Sequence, residues 1–215
     1  MKKISFKILI VYILQKLGKL FSLFYNYKFY NTLLSISRII YSSWISREFK
    51  FFGKNSRILS IRSLVGGEYI TIGENTIIGT QAVITAWGNH GAYNFCPSIN
   101  IGKNVSIGND CHITSINNIF IGDNVLMGMK VTITDNSHGT NKFEELTIAP
   151  VDRKLYSSGP IIIEEGVWIG DKVTILPNTR IGKNSIIGAN AVVTEDIPSN
   201  SIAVGIPAKV VKTIK

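Results

Sequence analysis

The sequence predicts a mainly β protein: a triangular prism of short stacked strands, about five coils high, with a helical appendage before it and one extended loop. Three observations carry this. Isoleucine recurs every sixth residue from Ile72 onward. The residue after it follows a Gly-Gly-Thr pattern that repeats every third hexad. The positive charge gathers in the first fifty residues.

The hexads come first. From Ile72 to Val193, thirteen of fifteen first positions are Ile, the exceptions being Met127 and Val193. A period of six is too long for a helical turn and too regular for loops, so it suits a short strand plus a corner. The first residue fills a narrow core. The fifth also points inward beside a corner and is usually small, as at Thr76, Ala82, Val105, Cys111, Val125 and Ala191. Strands stacked about 4.8 Å apart exchange backbone hydrogen bonds between coils. The second positions read Gly73, Gly79, Thr85, then Gly102, Gly108, Thr114, then Gly122, Gly128, Thr134. A pattern that returns every third hexad means three strands per coil.

The appendage differs in chemistry. Residues 1–50 hold seven Lys, two Arg and Glu48 as their one acid, a charge of +8 out of +9 for the chain. Lys7, Gln15, Gly18, Lys19 and Ser22 share a sector about 120° wide at about 100° per residue. Asn31, Ser35, Arg38, Ser42 and Ser46 recur at three and four. Two amphipathic helices follow, broken near Tyr25–Lys28. Residues 1–56 form the appendage and 57–215 the prism. The start, MKKISFKILIVYIL, is a poor signal sequence: Gln15-Lys16 ends its apolar core and no small-x-small site follows. No segment reaches the roughly 18 uncharged apolar residues that span a bilayer. Because the prism is nearly neutral, nucleic acid is excluded as a partner. The basic helices either contact an anionic membrane surface or pack within an assembly. Cys96 and Cys111 make neither a disulfide scaffold nor a metal motif, which fits a reducing compartment.

With these residues, the chain resembles the hexapeptide-repeat acyltransferases. The match covers 57–215. VWIGDKVTILPNTRIG, IIGANAVVTEDIP and AVGIPAKVVK are similar to the sugar O-acetyltransferase branch, closest to enzymes of capsule, lipopolysaccharide and exopolysaccharide sugars. The resemblance implies a left-handed parallel β-helix, a homotrimer with sites between subunits, acetyl-CoA as donor, a glycan hydroxyl as acceptor and no metal. It also implies a cytoplasmic enzyme, which the basic helices could hold at the inner face of the inner membrane. Serine or another small-molecule O-acetylation, and a non-catalytic assembly role, are the rival readings.

The repeat breaks at residues 90–100, 119–120 and 139–162, each time between a third strand and the next first strand. One prism edge therefore collects the loops, and function is often grafted on such an edge. The sixth positions there, Asn89, Asn118, His138, Arg180 and Pro198, are expected to form a ladder. His138 stands directly before the longest loop and matches the family's catalytic histidine. Asn89, His90, Asn118 and Asp135 are candidates to touch the acceptor, with Asp135 also placed to orient the His138 ring. His112, ending a second strand, is expected at a different edge. The three histidines do not reproduce a metal triad. By resemblance, Trp168, Asp171 and Ala189 line the pantetheine arm of the donor, Thr194 lies near its adenine, and Lys209 and Lys212 face its phosphates. Glu195 stands where the family often has Lys.

Overall fold

The computed structural model describes residues 6–140 and 142–214. Two compact units divide between Ile40 and Tyr41. The first holds helix α1 (Phe6–Phe21) and most of helix α2 (Tyr27–Ile45). The break falls where the sequence places it, because the Asn26 side chain accepts the Phe29 N–H at 2.9 Å and caps α2. No residue of α1 is buried. Lys2 and Lys3, which count toward the appendage's charge, lie outside the described residues.

The second unit is the prism. Among its described residues three parallel sheets form the faces, and each strand pairs with its counterpart one coil away. On the first face Phe52, Ile72, Ile101, Ile121, Ile163 and Ile181 align in register. On the second, Ile58, Ile78, Ile107, Met127, Ile169, Ile187 and Ala203 do so. Leu64, Ile84, Ile113, Ile133, Ile175 and Val193 line the third. Most of these side chains are fully buried. Each such burial is worth about 1.5–3 kcal/mol, so the core is a column of small equal contributions.

Corners explain the residues between isoleucines. Asn75, Asn104, Asn124 and Asn184 adopt φ of 55°, 56°, 59° and 59°. Asparagine tolerates this left-handed conformation better than other side chains. Neighbouring corner asparagines also bond to each other, Asn104 to Asn124 at 3.2 Å and Asn55 to Asn75 at 3.1 Å.

Two expectations change. The prism has six full coils and a partial seventh rather than five, and it begins at Phe51 rather than at residue 57. The first coil runs through Phe51–Phe52, Arg57–Ile58 and Ile61–Val65. Residues from Tyr41 already belong to this unit and close its N-terminal end. The Ser42 hydroxyl donates to the Ile58 carbonyl at 2.9 Å and accepts the Ile58 N–H at 3.0 Å. The Tyr41 hydroxyl accepts the Ile61 N–H at 3.1 Å. At the other end, Lys209–Thr213 folds back antiparallel on Ser201–Val204.

Candidate active site

The edge between the third and first faces carries the loops, as the breaks in the repeat require. After the second third-face strand (Ala82–Ala86) the chain leaves as a small hairpin, with Asn89–His90 antiparallel to Tyr93–Asn94. Two coils later Ser137–His138 pairs antiparallel with Leu155–Tyr156, and residues between them form the long loop. His138 therefore stands on a hairpin that rises off the prism. The loop's turn is tied down locally. Gly139 takes φ +90°, and a Cβ there would lie 2.6 Å from the Glu145 carboxylate. That carboxylate accepts the Thr140 N–H at 2.5 Å.

Between the two hairpins a cleft of about 440 Å³ opens over the third face. Its floor is the outward residue of successive strands, Thr85, Thr114 and Thr134, held in register. The Thr85 hydroxyl donates to that of Thr114 at 2.9 Å. Its walls include Trp87, His90, His112, His138 and Leu155. The rings of His90 and His138 are 5.9 Å apart at 74°. Those of Trp87 and His90 are 6.0 Å apart at 89°.

The expected residues sort accordingly. His90 and His138 meet in one cleft. Asn89 sits beside them, exposed on the first hairpin. His112 corrects its expectation: it faces outward on the third face, between Val83 and Thr132 in register, and lines this same cleft. Burial against the cleft wall lowers its pKa from the ordinary 6.5. The polar ladder does not form. Corners of different length carry Asn118 and Arg180 onto first-face strands, while Asn89 and His138 leave on hairpins. Asn118 accepts the Ser98 hydroxyl at 2.8 Å there, away from the cleft lining.

Asp135 is corrected more sharply. It is fully buried. Its carboxylate accepts the Ser115 hydroxyl at 2.5 Å and the N–H groups of Ile116 and Asn117 at 2.9 and 3.0 Å. These bonds fix the corner one coil below, so the carboxylate neither meets an acceptor nor steers the His138 ring. Trp87 and the threonine floor were not among the expected site residues. The signal for the floor was in the Gly-Gly-Thr pattern, whose threonines proved to point outward. The signal for Trp87 was an aromatic placed three residues before the first insertion.

A second groove, of about 310 Å³, lies on the second face and its corner with the third. It gathers Trp168, Asp171 and Ala189 between Gly128, Gly170 and Gly188. Trp168 is half-exposed and sits in register between Leu126 and Ile186. Asp171 accepts the Met129 N–H at 2.8 Å, which binds one coil to the next. Thr194, Lys209 and Lys212 are exposed and do not line this groove. Lys209 pairs with Glu195 at 2.8 Å, so the departure at Glu195 has a partner within the chain.

Residues 160–195 match the model of the family described as bacterial transferase hexapeptide (six repeats). WbbJ of Escherichia coli (strain K12), whose name describes a lipopolysaccharide biosynthesis O-acetyl transferase, is 34% identical over 167 residues, covering 76% of this chain and 82% of WbbJ. The galactoside O-acetyltransferase of the same strain is 34% identical over 165 residues, 74% of this chain and 71% of that one. Among solved structures, AntD, an N-acyltransferase from Bacillus cereus in complex with dTDP and 3-hydroxybutyryl-CoA, shares the fold with a TM-score of 0.62 at 21% identity. That match covers 80% of this chain and 87% of AntD. The chain therefore belongs to the bacterial hexapeptide-repeat transferases, as an acyltransferase built on their left-handed parallel β-helix.

Proposed function

We propose that this chain is an acetyl-CoA-dependent O-acetyltransferase acting on a sugar hydroxyl of a surface polysaccharide or its lipid-linked precursor. The observation that carries this reading is His138 on its hairpin, beside a cleft floored by hydroxyl groups. A sugar hydroxyl attacks a thioester poorly while it keeps its proton. The His138 imidazole takes that proton as the oxygen bonds to the acetyl carbonyl. The tetrahedral intermediate then expels the coenzyme A sulfur, which receives the proton back from the imidazolium. The products are the acetyl ester and the free thiol. No covalent enzyme intermediate and no metal enter.

The donor's pantetheine arm lies along Trp168, Asp171 and Ala189, with Thr194, Lys209 and Lys212 toward its nucleotide end. A homotrimer sets the groove of one subunit against the cleft of the next. The protein works in the cytoplasm, and residues 1–50 hold it to the inner face of the inner membrane. No helix among the described residues is long and apolar enough to cross a membrane. Supporting the reading are the two relatives whose names describe an O-acetyl transferase of lipopolysaccharide biosynthesis and a galactoside O-acetyltransferase.

The test is thiol release and ester formation from acetyl-CoA with a panel of free and lipid-linked glycans, using the wild type and His138→Ala. The variant is expected to bind coenzyme A and keep its fold while turnover falls about 10²–10⁴-fold. Near wild-type turnover would remove His138 from the base role. A wild type that binds coenzyme A but acetylates serine and no glycan would favour the small-molecule reading.

A further inference from the structure

The cleft is unusual in what lines it. Among the described residues, no Lys, Arg, Asp or Glu side chain is part of its lining. The one large aromatic face there is Trp87. The Trp87 backbone N–H donates to the Ser115 carbonyl at 2.9 Å, which extends the third-face ladder one residue past the strand. The next residue, Gly88, is packed so closely on Tyr69 that a Cβ would lie 2.7 Å from the Tyr69 hydroxyl. The Phe95 N–H donates to the Gly88 carbonyl at 2.8 Å and closes the hairpin. The backbone that carries the indole is thus held from both directions. Its ring is perpendicular to His90, which is in turn steeply inclined to His138. The Trp87 indole, a hydroxyl floor and the candidate base line one cleft that has no Lys, Arg, Asp or Glu among its lining residues.

A pyranose ring has the matching chemistry. Its C–H groups form an apolar face that stacks on an aromatic ring, and its hydroxyls need hydroxyl or imidazole partners around the edge. A phosphate or carboxylate would find no Lys or Arg among the lining residues. We propose that Trp87 is the stacking platform for the acceptor and determines its specificity, selecting an uncharged pyranose ring with a free C–H face. This rests on the acetyl-transfer reading for the site's purpose, but the platform can be tested by binding alone.

The experiment measures binding of methyl gluco-, galacto- and mannopyranosides by saturation-transfer NMR, against the acyclic alditols of the same configuration. Wild type, Trp87→Phe and Trp87→Leu are compared. The wild type is expected to prefer at least one ring over its alditol by roughly tenfold. Trp87→Phe should keep most of that preference. Trp87→Leu, which holds apolar volume at the hairpin base without a π face, should abolish it at an unchanged melting temperature. Equal signals from rings and alditols on the wild type, including none from either, overturn the proposal. So does a ring preference that survives in Trp87→Leu. A wild type that shows the preference yet transfers no acetyl group supports the platform and defeats the acetyl-transfer reading.

Discussion

Asp135 and His138 lie on the same short stretch and face opposite ways. Asp135 points into the prism, where its carboxylate oxygens serve Ser115, Ile116 and Asn117 of the neighbouring corner. His138 points away from the prism and is exposed. An unpaired carboxylate in an apolar interior would be costly, so these donors, with the Asn136 side-chain amide at 3.2 Å as a fourth, are what permit it. Asp135→Ala would leave the buried Ile116 N–H and the part-buried Asn117 N–H without their acceptor. A loss of about 2–3 kcal/mol in stability is expected, read from urea unfolding. If Asp135 instead oriented His138, the variant would unfold like wild type and lose turnover. A sequence shows a polar residue between a strand and a histidine, and an active-site aspartate and a corner-fixing aspartate look alike there. Only the register between coils, which places Asp135 under the corner at Ile116, separates the two.

At the scale of the strand and coil, the isoleucine period gave the faces, the register and the loop-bearing edge. It missed the first coil because Phe52 and Leu64 stand where isoleucine is expected, although Phe52, Ile58 and Leu64 keep the spacing of six. It also misplaced the polar ladder. A fixed period assumes equal corners, and the corners between third and first faces differ in length. The groove at Trp168 was expected from the family resemblance alone; in the structure Gly128, Gly170 and Gly188 on adjacent coils leave room beside its one large ring. The C-terminal strand Lys209–Thr213 closes the second face, and Lys209 and Lys212 point from it without lining that groove. Lys209→Glu with Lys212→Glu is expected to weaken acetyl-CoA binding by about tenfold or more and leave glycan binding unchanged. The physical basis is loss of charge-assisted bonds to phosphate, worth about 1.5–3 kcal/mol each. Titration of coenzyme A by calorimetry checks it, and an unchanged affinity would make this strand a solvated edge.

Over the whole molecule, charge and apolar surface are partitioned. The prism buries its isoleucine column, while residues 6–40 leave most of their apolar side chains in water: Phe6, Leu23, Phe24 and Tyr27 are each more than 60% exposed. The same segment has Lys7, Lys16, Lys19 and Lys28 and no acid. Exposed apolar surface on that scale is unfavourable without something to cover it. A lipid interface accepts both features together, since rings and aliphatic chains enter the headgroup region while lysines face anionic lipid. Each basic residue near such a surface contributes about 1 kcal/mol, and a trimer would present three segments at once. Full-length protein is therefore expected to co-sediment with vesicles containing phosphatidylglycerol, to release as salt is raised, and to bind neutral phosphatidylcholine vesicles much more weakly. Removing residues 1–40 should abolish the binding and spare acetyl transfer to soluble glycans, because the prism's core is its own. Recovery of the full-length chain in the supernatant with anionic vesicles would instead show that these helices cover one another within the assembly.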